Sequence, residues 1–254
     1  LIVVGLMLGT TIVATALTTG DTMSHTIRGA AVRTLGQTDE LVSAKGTEVS
    51  LGTNLGSATG VEYFDEDVVS DIDAALAGTA LVDGITPAVI EEVAVQAPAQ
   101  RQNEPRVTLF AADPGRMEGF GAIEGSSGEV TLDGLSPGEA YLNEEAASEL
   151  GVSTGDRVLV FAGGRPPLRV TVKDVVSYEG AGTDGSAVLM PLVQAQAFLG
   201  RSDRARHILL SNSGDEWSGA GLSDEVVKTL DPVLGSLGLD IDESKQDAIE
   251  AADL

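Results

Sequence analysis

Two glycine-bounded motifs are the first places in this sequence where residue type and spacing could do chemistry. Gly134-Leu135-Ser136-Pro137-Gly138 matches G-x-S-x-G letter for letter. In a nucleophile elbow, that pattern presents a serine on a sharp turn, and the N–H of the following residue helps to bind the oxyanion. Pro137 has no N–H to give, so Ser136 is read as part of an ordinary turn. Gly180-Ala181-Gly182-Thr183-Asp184-Gly185 matches G-x-G-x-x-G, which cradles a pyrophosphate only between a strand and a helix N-terminus. Ser186–Met190 reads as another strand, so the motif is expected to be a flexible hairpin connection. The chain has two histidines, His25 and His207, and no cysteine. Neither histidine has a partner at metal-ligand spacing. The missing thiols exclude disulfides, thiolate catalysis and the usual zinc cages. Asp65, Glu66 and Asp67 sit where a helix dipole favours acidic side chains, which accounts for them without a metal. The expectation is a protein that is not an enzyme, with no catalytic, cofactor-binding or metal-ligating residues.

The elements that would carry any site begin with Leu1–Leu17, an apolar run without a charge before Asp21. A bilayer core takes about 20 such residues in a helix, and the run is read as most of a transmembrane helix over residues 1–20. Met23, Ile27, Ala30, Ala31 and Leu35 continue at helical spacing to Gly36, a helix-terminating glycine. Residues 21–36 are therefore read as a stalk that carries the helix from the membrane into water. A cleaved signal peptide ending near Ala14-Thr15-Ala16 is the rival reading.

Residues 37–254 are expected to form one extracytoplasmic domain of α+β class, because strand and helix patterns mix without strict alternation. Glu40–Ala44 reads as a strand. Asp65–Ala77 reads as a helix with Val68, Val69, Ile72 and Leu76 on one face. Ala80–Val82, Ile90–Val95 and Val107–Ala111 are short apolar segments, and Gln96–Arg106, with Pro98 and Pro105, is expected to be an exposed loop. Asn143–Leu150 reads as a short helix capped by Asn143 and ended by Gly151. Strands are expected at Asp156–Phe161, Leu168–Tyr178, Ala187–Met190, His207–Ser211 and Leu237–Ile241. Helices are expected at Leu192–Leu199 and Asp224–Leu234, with a closing helix after Ser244.

The net charge is −24, from 39 acidic and 15 basic residues. Such a surface repels nucleic acid and anionic lipid, so no nucleic-acid partner is expected. The acidity is either a solvated face or an adaptation to high salt. Arg201, Arg204 and Arg206 form the one small basic cluster, read as internal salt-bridge partners or as a docking point. An outside domain of this size without disulfides suggests a bacterial or archaeal source.

One order of segments is more specific. Thr19-Gly20-Asp21-Thr22-Met23-Ser24 leads into the stalk and Leu35-Gly36-Gln37-Thr38-Asp39. Leu142–Val152 and Thr154-Gly155-Asp156-Arg157-Val158 follow much later, then Val170–Val176 and Val188-Leu189-Met190-Pro191-Leu192. This order resembles the extracytoplasmic domain of FtsX/MacB-type ABC transporter permeases. The likeness is densest within residues 139–211 and weaker over the more variable 46–138. It implies a permease subunit in the cell membrane that dimerises and pairs with a cytoplasmic ABC ATPase subunit. It also implies a domain that transmits ATP-driven motion to an outside partner protein or to lipoprotein or peptide cargo. The alternative is a membrane-anchored sensor or ligand-binding domain of a signalling protein.

Overall fold

A computed structural model describes residue 29 and residues 34–46 and 62–251. The expected transmembrane helix, most of the stalk and His25 lie outside the described residues. Among those described, no helix is long and apolar enough to cross a membrane.

Among the described residues after Leu35, thirteen strands and five α-helices follow in chain order: β1 Glu40–Ala44, β2 Phe64–Asp65, α1 Val68–Leu76, β3 Val82–Ala97 and β4 Gln102–Ala112, then β5 Ile123–Gly125, β6 Gly128–Val130, β7 Glu139–Asn143, α2 Glu144–Leu150 and β8 Arg157–Phe161, then β9 Leu168–Val176, β10 Ala187–Pro191, α3 Leu192–Leu199, β11 Arg204–Ala205 and β12 His207–Asn212, and finally α4 Ser223–Leu237, β13 Leu239–Asp242 and α5 Ser244–Ala251. Nine strands form one mixed sheet in the order β13-β1-β12-β3-β4-β10-β7-β9-β8, and β8 also pairs with β3. That extra pairing closes β3, β4, β10, β7, β9 and β8 into a ring. The start of β3 instead carries β12, which leads to β1 and β13. The mixed α/β architecture agrees with the α+β expectation.

Period-2 alternation assigns the two faces of the ring. Val89, Val93, Leu109, Ala111, Leu142, Val188 and Met190 face one cluster, which α2 and α3 cover with Leu150, Leu192 and Ala195. Ile90, Phe110, Tyr141 and Leu189 face the opposite way, with Leu35, Phe120 and Tyr178. A third cluster lies under α1 and α4, where Val68, Val69, Ile72 and Leu76 meet Val226, Leu230 and Leu234.

The largest departure from expectation is the hairpin β3–β4. Gln96–Arg106 is not an exposed loop, because only residues 98–101 lie between the strands. Pro105 is tolerated because the register slips there: Val93 pairs with Val107 and Val95 with Glu104. A proline in such a bulge removes no ladder hydrogen bond.

Helix α2 forms as its local signals require. Asn143 Oδ1 accepts from the Ala146 N–H at 3.0 Å, and Gly151 ends the helix at φ 62°. The same Oδ1 accepts from the Ala187 N–H at 2.9 Å, and Nδ2 donates to Gly185 O at 2.6 Å. One side chain thus joins a helix start to a strand start. Asn143→Ala is expected to cost about 2 kcal/mol in urea unfolding, from the lost cap and a buried Ala187 N–H without an acceptor.

Candidate functional site

Several distant segments of the chain converge on Thr34, Leu35 and Gly36. Thr34 and Leu35 are helical, and Gly36 turns the chain out of the helix at φ 56°. Leu35 is buried in the core beside Phe110 and Tyr178. The glycine-rich loop wraps this helix end: Gly36 bridges to Gly180, and the Gly182 N–H donates to Thr34 O at 3.0 Å. The Thr34 hydroxyl donates to Asp184 Oδ2 at 3.2 Å.

The approach of the two segments leaves no room for a side chain. A Cβ on Gly36 would lie 2.0 Å from Glu179 O, and one on Gly180 would lie 2.2 Å from the Tyr178 ring. That ring stacks at a tilt on Phe110, with centroids 5.3 Å apart. Thr183 fixes the loop from within, its Oγ1 accepting from the Gly180 N–H at 3.0 Å. The expected flexible hairpin is therefore corrected. β7 lies between β9 and β10 in the sheet, so residues 177–186 reverse the chain across the end of β7 rather than joining two neighbouring strands, and tight backbone packing holds them. No helix follows, and no dinucleotide cradle is formed.

The far end of the chain reaches the same place. Lys245, on α5, is fully buried, and its Nζ donates to Gly36 O at 2.8 Å and to Asp39 Oδ1 at 2.9 Å. The cation thus caps a carbonyl just past the helical Thr34 and Leu35 and neutralises the Asp39 carboxylate beyond it. Asp39 Oδ2 accepts from the Asn212 N–H at 2.8 Å. Asn212 Nδ2 donates to Glu40 Oε1 at 2.7 Å and to Gly219 O at 3.0 Å. Gly219 has to be glycine, since a Cβ there would lie 2.7 Å from Asp39 Oδ2. Burial pushes the Asp39 carboxyl up, and the Lys245 charge beside it opposes the shift.

Beside Thr34 lies a cleft of about 400 Å³ lined by Thr34, Asn143, Glu144, Glu145, Glu179 and Asp184 among others. Its acidic groups repel anions. No group of three or more His, Asp or Glu side chains among the described residues could hold a metal ion.

The other residues singled out in the sequence lie elsewhere. Ser136 is exposed, and its N–H donates to Glu139 Oε2 at 3.0 Å. His207 is fully buried in β12, and burial with the neighbouring Arg206 charge pushes its pKa down to about 3, so the ring is neutral. The basic cluster divides. Arg206 pairs with Glu91 at 3.8 Å, and Arg201 lies over the Tyr63 ring at 5.0 Å. Tyr63 in turn donates its hydroxyl hydrogen to Glu91. Arg204 is exposed in β11, opposite Asp65.

The Lys245 node had no local sequence signal, because its partners lie more than 200 positions away, 209 for Gly36 and 206 for Asp39. A lysine in an acidic closing helix reads as a solvated side chain. The rarity of the type, at four lysines in the chain, was the only available hint.

Comparison with known proteins follows this geometry. A family model for the MacB-like periplasmic core domain matches residues 1–219. No curated protein sequence matches the chain. Among solved structures, the periplasmic region of MacB from Actinobacillus actinomycetemcomitans is similar at 15% identity, with 87% of this chain and 95% of that one covered at a TM-score of 0.54. The extracellular domain of the noncanonic ABC-type transporter YknZ from Gram-positive bacteria is similar at 14% identity, with 80% and 98% covered at a TM-score of 0.50. These likenesses show a shared fold, and in both relatives the domain is the periplasmic or extracellular part of a transporter. The chain belongs to the MacB-like periplasmic core domain family.

Proposed function

We propose that this chain is the extracytoplasmic part of a permease subunit that works as a lever, moved by helices that cross the membrane. The observation that carries the reading is the Lys245 node. One buried ammonium from α5 holds both the carbonyl that ends the stalk helix and the carboxylate that follows it. Displacement of either chain end is then passed to the other, and both move with the sheet rather than against it. In this reading ATP is hydrolysed by a cytoplasmic ABC ATPase paired with a dimer of the permease. The outside domain transmits the motion, to export or extract a substrate or to regulate an outside partner, and performs no catalysis itself. The exposed, proline-blocked turn at Ser136 and the inaccessible His207 support the last point.

The test is affinity capture of the full-length protein in mild detergent. An ABC ATPase is expected to co-purify in a stoichiometric complex. Recovery of a kinase or other signalling partner instead would overturn the lever reading in favour of a sensor domain.

A further inference from the structure

Asp39 and Glu40 are consecutive and both buried, yet they are treated differently by their surroundings. Lys245 bonds to Asp39, whereas Glu40 is met by an amide. Asn212 Nδ2 donates to Glu40 Oε1 and Gly219 O, with the Ser223 Oγ at a longer 3.4 Å, which fixes the orientation of the amide. Glu40 Oε2 and Asn212 Oδ1 are then both buried without a hydrogen-bond donor. Two acceptors abandoned at one junction are costly, and a single proton resolves both. Placed on Oε2, it removes the buried charge and makes that oxygen a donor available to the neighbouring amide oxygen of Asn212.

We propose that the folded domain holds Glu40 as the neutral acid against Asn212, and that loss of this proton loosens the adjoining Lys245 node. The external pH then sets how firmly the two chain ends are held together. The proposal rests on the lever reading only for its functional meaning; the proton and the loosening are properties of the chain itself.

The charged and titratable groups around Glu40 are few. Asp39 lies beside it just before β1, Lys245 faces it from α5, and Ser223 from α4, while Asp83 on β3 acts on Asp39. Burial outweighs the pull of Ser223, Asn212 and Lys245 and pushes the Glu40 carboxyl up to about 7. An ionised Glu40 would oppose the Asn212 carbonyl oxygen with no hydrogen between them. It would also compete with Asp39 for the Lys245 ammonium, at the expense of the bond to Gly36 O. Because the folded pKa is raised above the ordinary 4.5, the stabilisation is fully present below that value. It declines as pH rises and is lost through about 7.

The experiment uses the 254-residue chain in detergent micelles. Carboxyl ¹³C resonances are titrated, and amide exchange, corrected for its intrinsic pH dependence, is followed in α5 at pH 6 and pH 8. One carboxyl signal, absent in Glu40→Gln, is expected to titrate near neutrality. Protection in α5 is expected to fall about tenfold, the equivalent of one pKa unit of differential protonation, and to stay constant in Glu40→Gln. A Glu40 already ionised at pH 6 overturns the proposal, as does α5 protection that is the same at both pH values. Should Glu40→Gln fail to fold, the wild-type titration and exchange decide alone. Failure of the ATPase to co-purify would remove the lever reading without touching either measurement.

Discussion

Lys245→Met is expected to destabilise the domain by about 3–5 kcal/mol, the cost of leaving a buried carboxylate without its counter-ion. Asp39 is 1% exposed, so water cannot replace the lost ammonium. Gly36 O loses its donor in the same step. The size of the effect separates a structural node from a surface pair such as Lys45–Asp240, whose side chains are 68% and 52% exposed and whose loss should cost less than about 1 kcal/mol. The double variant Lys245→Met with Asp39→Asn is expected to recover much of the loss. It removes the orphaned charge while leaving an oxygen for the Asn212 N–H. Chemical denaturation of the two single variants and the double variant gives the coupling directly. Independent, additive costs would mean that the pair is not the unit described.

The second large effect is expected at Gly36→Ala, at about 3 kcal/mol or more. Part of the cost is conformational, since a non-glycine residue in the left-handed region costs about 1–2 kcal/mol. The larger part is steric, because the obstacle at 2.0 Å is the backbone carbonyl of Glu179 and no rotamer change can relieve it. Either the stalk end or the glycine-rich loop must move. Gly78→Ala is the control: its φ of 82° is equally left-handed, but nothing lies within 4 Å of a new Cβ. It is expected to show the conformational part alone. Thermal unfolding of both variants distinguishes the two contributions, and equal shifts would show that the packing of Gly36 on the loop contributes nothing.

How much of this was legible in the sequence depended on the range over which each interaction acts. Helix α2 could be read because Asn143 and Gly151 act within a turn of the residues they cap. α1 could be read because Val68, Val69, Ile72 and Leu76 repeat at helical spacing. The hairpin β3–β4 could not, because the bulge that accepts Pro105 exists only in the pairing of two strands. The path of Gly180–Gly185 across the end of β7 was hidden for the same reason, since it depends on β7 occupying the place between β9 and β10. At the candidate site, Gly36 was legible as a helix stop. Its partner Lys245, and Asn212 and Gly219 around the adjoining Asp39, were not, because no periodicity or spacing rule reaches across the 173 to 209 positions that separate these bonded residues. Arg206 was legible only as an internal salt-bridge partner or a docking point, and His207 only as lacking a partner at ligand spacing; Arg206 pairs with Glu91 and His207 is fully buried.

The place of β1 in the sheet has a consequence for how the chain is made. Its five residues lie between β12 and β13, pairing Val42 with Ile208 on one side and with Ile241 on the other. Both neighbours are synthesised long after β1 itself. During synthesis, Leu41 and Val42 must wait with unpaired backbone and uncovered apolar faces until almost the whole domain has emerged. Contacts of such high sequence separation form slowly, and the exposed strand is meanwhile free to pair wrongly. Final closure of the fold then coincides with arrival of the helix that bears Lys245. A chain halted before that helix lacks the buried ammonium that joins α5 to Gly36 and Asp39.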